Sequence, residues 1–177
     1  HIPWSEVAQG PWALFTSGSK SFNIPAFTGA YGFIPEENER DSYLQALKGR
    51  DGLSSPSVPA LVAHIAAYRD GAPWLDALRD YLQANMRYVA DTLNNAFPAL
   101  CWQPPEATYL AWIDLRPLNV DDRALQQALI AEQKVAIMPG YTYGPEGNGF
   151  LRLNVGCPRE KLERGVEGLI AALRSLS

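Results

Sequence analysis

"TSGSKSFN" occupies residues 16–23 and sets a single lysine, Lys20, among hydroxyl side chains. The apolar run "WALF" precedes this segment and the apolar run "IPAF" follows it. A polar surface turn would explain the pattern, and so would a lysine that acts as a nucleophile. A nucleophilic lysine has to be partly desolvated so that its neutral amine is populated, and we expect the apolar flanks to provide such surroundings.

The residues just before Lys20 indicate what a reactive lysine would accompany. Pyridoxal phosphate needs an amine for its aldehyde and a separate set of donors for its phosphate. Ser17 and Ser19 offer hydroxyl groups, and Gly18 lets a ligand approach the backbone closely. A nucleotide-binding P-loop is excluded because the required glycine spacing is absent. From these residues alone, the surface turn and the reactive lysine both stay open.

A second candidate lies in "FLRLNVG" (150–156), where Arg152 stands at the centre of an apolar strand. Alternation places Arg152 with Phe150 and Asn154 on one face and the leucines on the other. The guanidinium then either points to solvent or binds a planar anion such as a carboxylate with two parallel N–H groups.

The composition of the chain argues against several classes of protein function. The chain has 177 residues, of which 47% are hydrophobic and 19% charged, so it can bury a core. The net charge of −4 argues against direct nucleic-acid binding, and no apolar run is long enough to span a membrane. Cys101 and Cys157 favour two reduced, buried thiols in a cytoplasmic protein over a disulfide. With His1 and His64 as the histidines, we expect no metal site.

The pattern of apolar residues divides the chain at residue 72. In the first part, 1–72, the sequence predicts short elements: a buried strand at 12–15, a strand or tight turn at 26–35, a helix at 41–49, and a loop followed by a helix at 52–71. The second part, 73–177, predicts a compact α+β unit: helix 73–97, strand 108–115, helix 121–133 capped by Asn119 or Asp121, strand 135–140, loop 141–149, strand 150–156 and a helix opening at Pro158. Two short strands cannot bury both faces of a sheet, so we expect 1–72 to be the tail of a larger domain.

Four segments in this order resemble one enzyme superfamily. "TSGSKSFNIPAFTGAYGF" (16–33) is similar to the Schiff-base lysine segment of the fold-type-I pyridoxal-phosphate enzymes. "YLAWIDL" (109–115), "VAIMPGYTYG" (135–144) and "FLRLNVGCPREKL" (150–162) are similar to its later segments. The resemblance covers the whole chain and is closest to the MalY/PatB branch, the cystathionine β-lyase-like C–S lyases grouped with class I and II aminotransferases. It implies an α/β fold class: the end of the large-domain sheet plus a small α+β C-terminal domain.

The resemblance also implies residue roles. Lys20 would carry pyridoxal 5′-phosphate and later move the α-proton of the substrate. Ser17 would bind the cofactor phosphate, with Ser19 as a second candidate, and Arg152 would hold the substrate carboxylate. One position departs from the pattern: many aminotransferases have an arginine eight residues after the lysine, where this chain has Thr28. That departure fits the lyase branch better than a typical aminotransferase.

The implied activity is β-elimination from a sulfur-containing amino acid by a homodimeric enzyme, with aminotransfer as the alternative. A maltose-regulon modulator in the same branch implies a further alternative, regulation of a transcription-activator protein by direct contact. In this superfamily an aspartate and an aromatic residue that contact the cofactor ring lie upstream of the lysine. We therefore expect this chain, which opens at "HIPW" without Met, to be the C-terminal portion of the enzyme. Alone, we expect it to bind the cofactor weakly or not at all and to be inactive.

Overall fold

The computed structural model describes residues 2–53 and 55–176, so His1 lies outside the described residues. The chain forms two compact units, His1–Ala77 and Leu78–Ser177. Its strands and α-helices are, in chain order, β1 (Leu14–Thr16), β2 (Tyr31–Phe33), α1 (Glu37–Gln45), α2 (Val58–Asp70), α3 (Ala72–Ala96), β3 (Leu110–Asp114), α4 (Asp122–Ala131), β4 (Met138–Pro139), β5 (Phe150–Asn154) and α5 (Arg159–Ser175). No helix within the described ranges is long and apolar enough to cross a membrane.

In the first unit, β1 and β2 form an antiparallel pair in which Leu14 lies opposite Phe33. The predicted strand at 12–15 therefore starts two residues too early. The helix predicted at 41–49 begins earlier, at Glu37, because acidic side chains in the first turn favour the positive end of the helix dipole. α1 then continues into a π-helical turn at Ala46–Arg50.

The first unit buries very little apolar surface. Among its described residues, Ala60 is the only buried hydrophobic side chain. Apolar residues of α2 are exposed, among them Leu61, Val62 and Ile65, and so are the aromatic residues Phe15 and Phe33 of the two strands. The expectation that the strand at β1 is buried was therefore wrong for this chain, because few side chains pack against it.

The second unit contains the hydrophobic core. Its sheet has the strand order β3-β5-β4, and both pairings are antiparallel. Apolar side chains from helices α3, α4 and α5 and from strands β3 and β5 fill the core: Val89, Leu93, Ile113, Leu125, Leu129, Leu151, Leu153, Leu162, Val166, Leu169 and Leu173. The amphipathic helices and alternating strands predicted after residue 72 are confirmed.

Polar contacts fix the ends of these elements. The Asp121 carboxylate accepts a hydrogen bond from the Ala124 N–H at 2.7 Å, which confirms Asp121 as the cap of α4. The buried Asn85 side chain of α3 donates to the Val155 carbonyl at 2.9 Å, just beyond β5. Because a buried amide is costly unless it is hydrogen-bonded, this contact holds α3 against the end of β5 in one position.

Two predictions in the second unit need correction. The strand predicted at 135–140 is reduced to Met138–Pro139. The Val135 N–H bonds the Leu129 carbonyl at the end of α4, and Pro139 has no N–H with which to extend the ladder at the other end. Met138 is also exposed. The two cysteines are free thiols, but they are not both buried: Cys101 is exposed and Cys157 half-buried. Cys101 follows the 3-10 turn at Pro98–Leu100 in a left-handed backbone conformation, and the side chain of this segment that enters the core is that of Leu100.

Replacing Leu129 by alanine should lower the free energy of unfolding by about 2–5 kcal/mol, because it leaves a cavity in the core. Leu129 is fully buried, whereas the next residue of α4, Ile130, is 59% exposed. Ile130→Ala is the matched control and should change stability by less than about 0.5 kcal/mol. Urea denaturation followed by circular dichroism measures both, and equal losses would contradict the assigned orientation of α4.

Candidate active site

The lysine segment forms a compact turn directly after β1. The Phe22 N–H donates to the Gly18 carbonyl and the Ile24 N–H to the Ser19 carbonyl, each at 3.0 Å. These bonds place Lys20 on the exposed side of the turn. Within the described ranges, its amine makes no hydrogen bond or ion pair.

The expected desolvation of Lys20 is not provided by this chain. Lys20 is exposed, and the preceding residues Leu14 and Phe15 are 37% and 52% exposed. The sequence correctly shows apolar residues on both sides of the lysine, but those side chains do not cover its amine. A low-dielectric environment for this amine requires further protein surface against the turn.

Ser17 is the hydrogen-bonding centre of the turn. Its hydroxyl donates to the Gly29 carbonyl at 2.6 Å and accepts the Ser19 N–H at 3.1 Å. It thereby joins the lysine turn to the segment that leads into β2. The Ser19 hydroxyl has no hydrogen-bond partner within residues 2–53 and 55–176, so it is available to a ligand.

His64 is the residue of this site that the sequence reasoning missed. Its Nε2 lies 3.4 Å from the Ser17 hydroxyl oxygen, and its Nδ1 lies 2.8 Å from the Ala60 carbonyl. The signal was present in the sequence, since His64 is the only polar side chain from Val58 to Ala67. A lone histidine in an apolar helix needs a polar partner, and here that partner is Ser17.

Two glycines make room for the imidazole. A Cβ atom at Gly29 would lie 2.7 Å from Cε1 of His64, too close for real atoms. A Cβ at Gly18 would lie 3.4 Å from Cδ2 of the same ring. Gly29 is therefore required for the close approach of the ring, whereas at Gly18 the ring lies at ordinary contact distance.

Aromatic rings pack beside the turn. Phe22 contacts Tyr68 edge-on, and the Tyr31 hydroxyl donates to the Tyr68 hydroxyl at 2.7 Å. Desolvation of the Tyr68 hydroxyl raises the pKa of Tyr68 to about 12. Tyr68 is therefore a neutral phenol throughout the physiological pH range.

Thr28 occupies the position where many aminotransferases have an arginine. It ends the 3-10 turn at Pro25–Phe27 in a left-handed conformation, with φ of 45°. Such a backbone is unusual for a β-branched residue and signals local strain. The side chain is exposed and uncharged, so this position adds no positive charge to the turn.

Arg152 belongs to the second unit and lies on the outer face of the sheet. Its guanidinium stacks over the Tyr143 ring, 4.6 Å from the ring centre, and the residue is half-buried. Trp112 lies opposite Arg152 on β3 and stacks on Phe150 at 5.4 Å. The alternation predicted for β5 is confirmed, since Leu151 and Leu153 are buried while Arg152 is on the aromatic face.

A second arginine on this face shows what is special about Arg152. Arg116 lies over the Phe150 ring at 4.6 Å, and its guanidinium donates two hydrogen bonds to the Asp114 carboxylate. These hydrogen bonds lower the pKa of Asp114, so the pair stays charged. Arg152 has no carboxylate partner in the described part of the chain. Of these two arginines, Arg152 is therefore the one whose guanidinium N–H groups are not already donated to a carboxylate of the described chain.

The candidate residues thus fall into two groups. Ser17, Ser19 and Lys20 share one turn of the first unit, whereas Arg152 lies in the second. No cluster of histidine, cysteine, aspartate or glutamate that could hold a metal ion occurs in the described ranges. The first group offers an amine and hydroxyls, and the second offers a cation framed by aromatic rings.

Comparison with known proteins identifies the family. The family described as aminotransferase class I and II matches residues 1–169. The chain belongs to this family. It is 72% identical over 176 residues to Protein MalY of Escherichia coli (strain K12), a match that covers 99% of this chain and 45% of that protein. It is 37% identical over 155 residues to cystathionine beta-lyase PatB of Bacillus subtilis (strain 168), with coverage of 88% and 40%.

Solved structures agree with the family. Cystalysin from Treponema denticola, whose structure contains pyridoxal 5′-phosphate, matches with a TM-score of 0.82 at 29% identity, over 93% of this chain and 42% of that one. These findings confirm the predicted resemblance and the predicted fold class, the C-terminal portion of the fold-type-I architecture. The chain spans less than half the length of these relatives.

Proposed function

We propose that this chain is the C-terminal portion of a pyridoxal-phosphate-dependent C–S β-lyase. Its substrate is a sulfur-containing amino acid such as cystathionine, which the enzyme splits with one water into a thiol, pyruvate and ammonia. The observation that carries the proposal is the turn that sets the unpartnered amine of Lys20 beside the hydroxyl groups of two serines. The 37% identity to cystathionine beta-lyase PatB supports this choice of reaction.

The residues of the turn fit pyridoxal 5′-phosphate. The cofactor needs an amine for its aldehyde, and Lys20 has an amine without a partner in the described chain. Its phosphate needs donors, and Ser19 and Ser17 supply hydroxyl groups. The Ser19 hydroxyl is available as it stands, while the Ser17 hydrogen has to turn from the Gly29 carbonyl. When bound, the cofactor supplies an electron sink that stabilises negative charge on the substrate α-carbon.

Lys20 and Arg152 have separate roles in the proposed reaction. The Lys20 amine, once free, is the base that removes the α-proton of the substrate. Arg152 holds the substrate carboxylate through two parallel N–H groups, which a guanidinium presents in a fixed geometry. Trp112 and Tyr143 frame Arg152, and their rings limit its contact with water.

The distribution of buried surface supports a division into two domains. We assign 1–72 to the remnant of a cofactor-binding large domain and 73–177 to a small C-terminal α+β domain. An α2 helix with exposed Leu61, Val62 and Ile65 is typical of a helix that packs inside a larger domain. The same uncovered surface explains why this chain alone should bind the cofactor weakly and not catalyse the reaction.

We propose a homodimer in the cytoplasm for the complete enzyme, and the two free cysteines fit that location.

Aminotransfer is the second candidate, since the matching family is described by that activity. Both reactions require a lysine base and a carboxylate-binding arginine, so these residues do not separate them. The uncharged Thr28 favours the lyase, because it removes a cation that many aminotransferases use. Contact with a transcription activator stays a prediction.

Product analysis of the complete enzyme decides between the two activities. With cystathionine as the only organic substrate, a lyase forms thiol, pyruvate and ammonia in equal amounts, without any keto-acid acceptor. Lys20→Ala should remove nearly all turnover, because no other group of the turn is a base, and circular dichroism should show the fold unchanged. Product formation that requires an added keto acid would identify an aminotransferase instead.

Arg152→Lys should lower kcat/KM for cystathionine by about 10- to 100-fold, because a bidentate, charge-assisted contact contributes roughly 1.5–3 kcal/mol. Cofactor content should not change, since the proposed phosphate and amine contacts lie in the lysine turn. Arg116→Lys is the matched control, as Arg116 also stacks on an aromatic ring of this face but is paired with Asp114. An unchanged kcat/KM for Arg152→Lys, or an equal loss in both variants, would remove Arg152 from the substrate site.

A further inference from the structure

His64 contacts the hydroxyl of Ser17, although the two residues are 47 positions apart. We propose that His64 is a positioning residue: through Nε2 it fixes the Ser17 hydroxyl, and through Ser17 it holds the turn that carries Lys20. Neither the family match nor any relative's description assigns a role to this histidine. The link from this turn to a phosphate rests on the proposed function, whereas the positioning itself rests on the geometry.

The hydrogen bonds assign the two ring nitrogens of His64. A carbonyl oxygen can only accept, so the Nδ1 that lies 2.8 Å from the Ala60 carbonyl carries a hydrogen. In the neutral ring, Nε2 is then an acceptor that faces the Ser17 hydroxyl. That hydroxyl has one hydrogen and two acceptors within reach, the Gly29 carbonyl at 2.6 Å and Nε2 at 3.4 Å. When that hydrogen points to Nε2, His64 and Ser17 are hydrogen-bonded; when it points to the nearer Gly29 carbonyl, the ring still confines the Ser17 oxygen by contact.

The imidazole itself is held in place by α2. The helix is capped by the Ser57 hydroxyl, which accepts the Ala60 N–H at 3.3 Å, and His64 bonds back to Ala60 one turn further on. Its ring lies so close to Gly29 that a Cβ atom there would clash with it. His64 therefore connects a regular helix to Ser17 of the lysine turn and to the segment at Gly29 that Ser17 also binds.

The consequence is local order in the turn. The Ser17 oxygen accepts the Ser19 N–H at 3.1 Å, and this bond precedes Lys20 by a single residue. When Ser17 loses its contact with Nε2, its side chain can leave this rotamer, and the Ser19 N–H then loses its acceptor. Exchange of the Ser19 amide hydrogen reports this event without any need for a cofactor.

Two substitutions separate the roles of the ring nitrogens. Asparagine places its amide near the position of Nδ1 and keeps a contact with Ala60, but it does not reach Ser17. Glutamine is longer and places its amide near the position of Nε2, so it can replace the contact with Ser17. If His64 only filled space, the larger glutamine and the smaller asparagine would differ in stability but not in the order of the turn.

The experiment is hydrogen exchange, read by mass spectrometry, on the complete enzyme after removal of its cofactor. In His64→Asn, the peptide that contains Ser19 should exchange about tenfold faster, the change expected for loss of one hydrogen bond. In His64→Gln it should exchange within about twofold of the wild type. A peptide from α5 serves as the reference for global stability. Equal exchange in both variants and the wild type, or equal acceleration in both variants, overturns the positioning role.

A second measurement tests whether the ordered turn contributes to binding of the cofactor phosphate. Affinity is compared for pyridoxal phosphate and for pyridoxal, which lacks the phosphate. His64→Asn should weaken binding of pyridoxal phosphate about fivefold to tenfold more than it weakens binding of pyridoxal, whereas His64→Gln should affect neither. If exchange at Ser19 accelerates but both ligands weaken equally, the positioning role stands and the proposed phosphate contact of Ser17 fails.

Discussion

The second unit depends on the register in which β5 pairs with its two neighbours. Leu151 and Leu153 enter the core because they alternate with Phe150 and Arg152, and the pairing with β3 and β4 fixes which set faces inward. A shift of one residue would place a guanidinium in the core and two leucines in water, so the buried face strongly selects this register. The same alternation presents Arg152 on the aromatic face. The pairing register of β5 therefore determines both the packing of the core and the position of Arg152, the proposed carboxylate-binding residue.

The first unit differs from the second in the interactions that define its structure. Its apolar residues are numerous, but almost none is buried, so hydrogen bonds and aromatic contacts define its local structure. Ser17 joins the lysine turn to Gly29 and to α2, while Tyr31 and Tyr68 join β2 to the same helix. A surface of this kind is typical of a segment that packs within a larger domain. In the complete enzyme, the covering of this surface would also desolvate Lys20, which the chain alone leaves exposed.

Local patterns predicted the fold of the second unit well. The helix expected at 73–97 is found at Ala72–Ala96, because its apolar spacing of three and four residues depends only on helical geometry. Asp121 caps α4 as predicted, since capping is also a local interaction. The beginning of β4 was not predicted, because an apolar run does not show where the hydrogen-bonded ladder begins. The face on which Arg152 lies followed from alternation, and its stacking on Tyr143 did not.

In the candidate site, the sequence identified the residues but not their surroundings. Lys20, Ser17 and Ser19 are neighbours in the chain, so a single segment was enough to find them. The contact of His64 with Ser17 joins residues that are distant in sequence and depends on how α2 lies beside the turn. The exposure of Lys20 likewise depends on which other segments cover it. Interactions between distant segments thus decide the properties that periodicity and spacing do not encode.

The central claim is that Lys20 carries pyridoxal phosphate in the complete enzyme. Borohydride reduction of the purified enzyme, followed by proteolysis and mass spectrometry, measures this directly, since reduction makes the attachment permanent. We predict a pyridoxyl label on the peptide that contains Lys20, in an amount that matches the bound cofactor. A label on Lys48, Lys134 or Lys161 instead, or a cofactor-bound enzyme without any label on Lys20, would contradict the account.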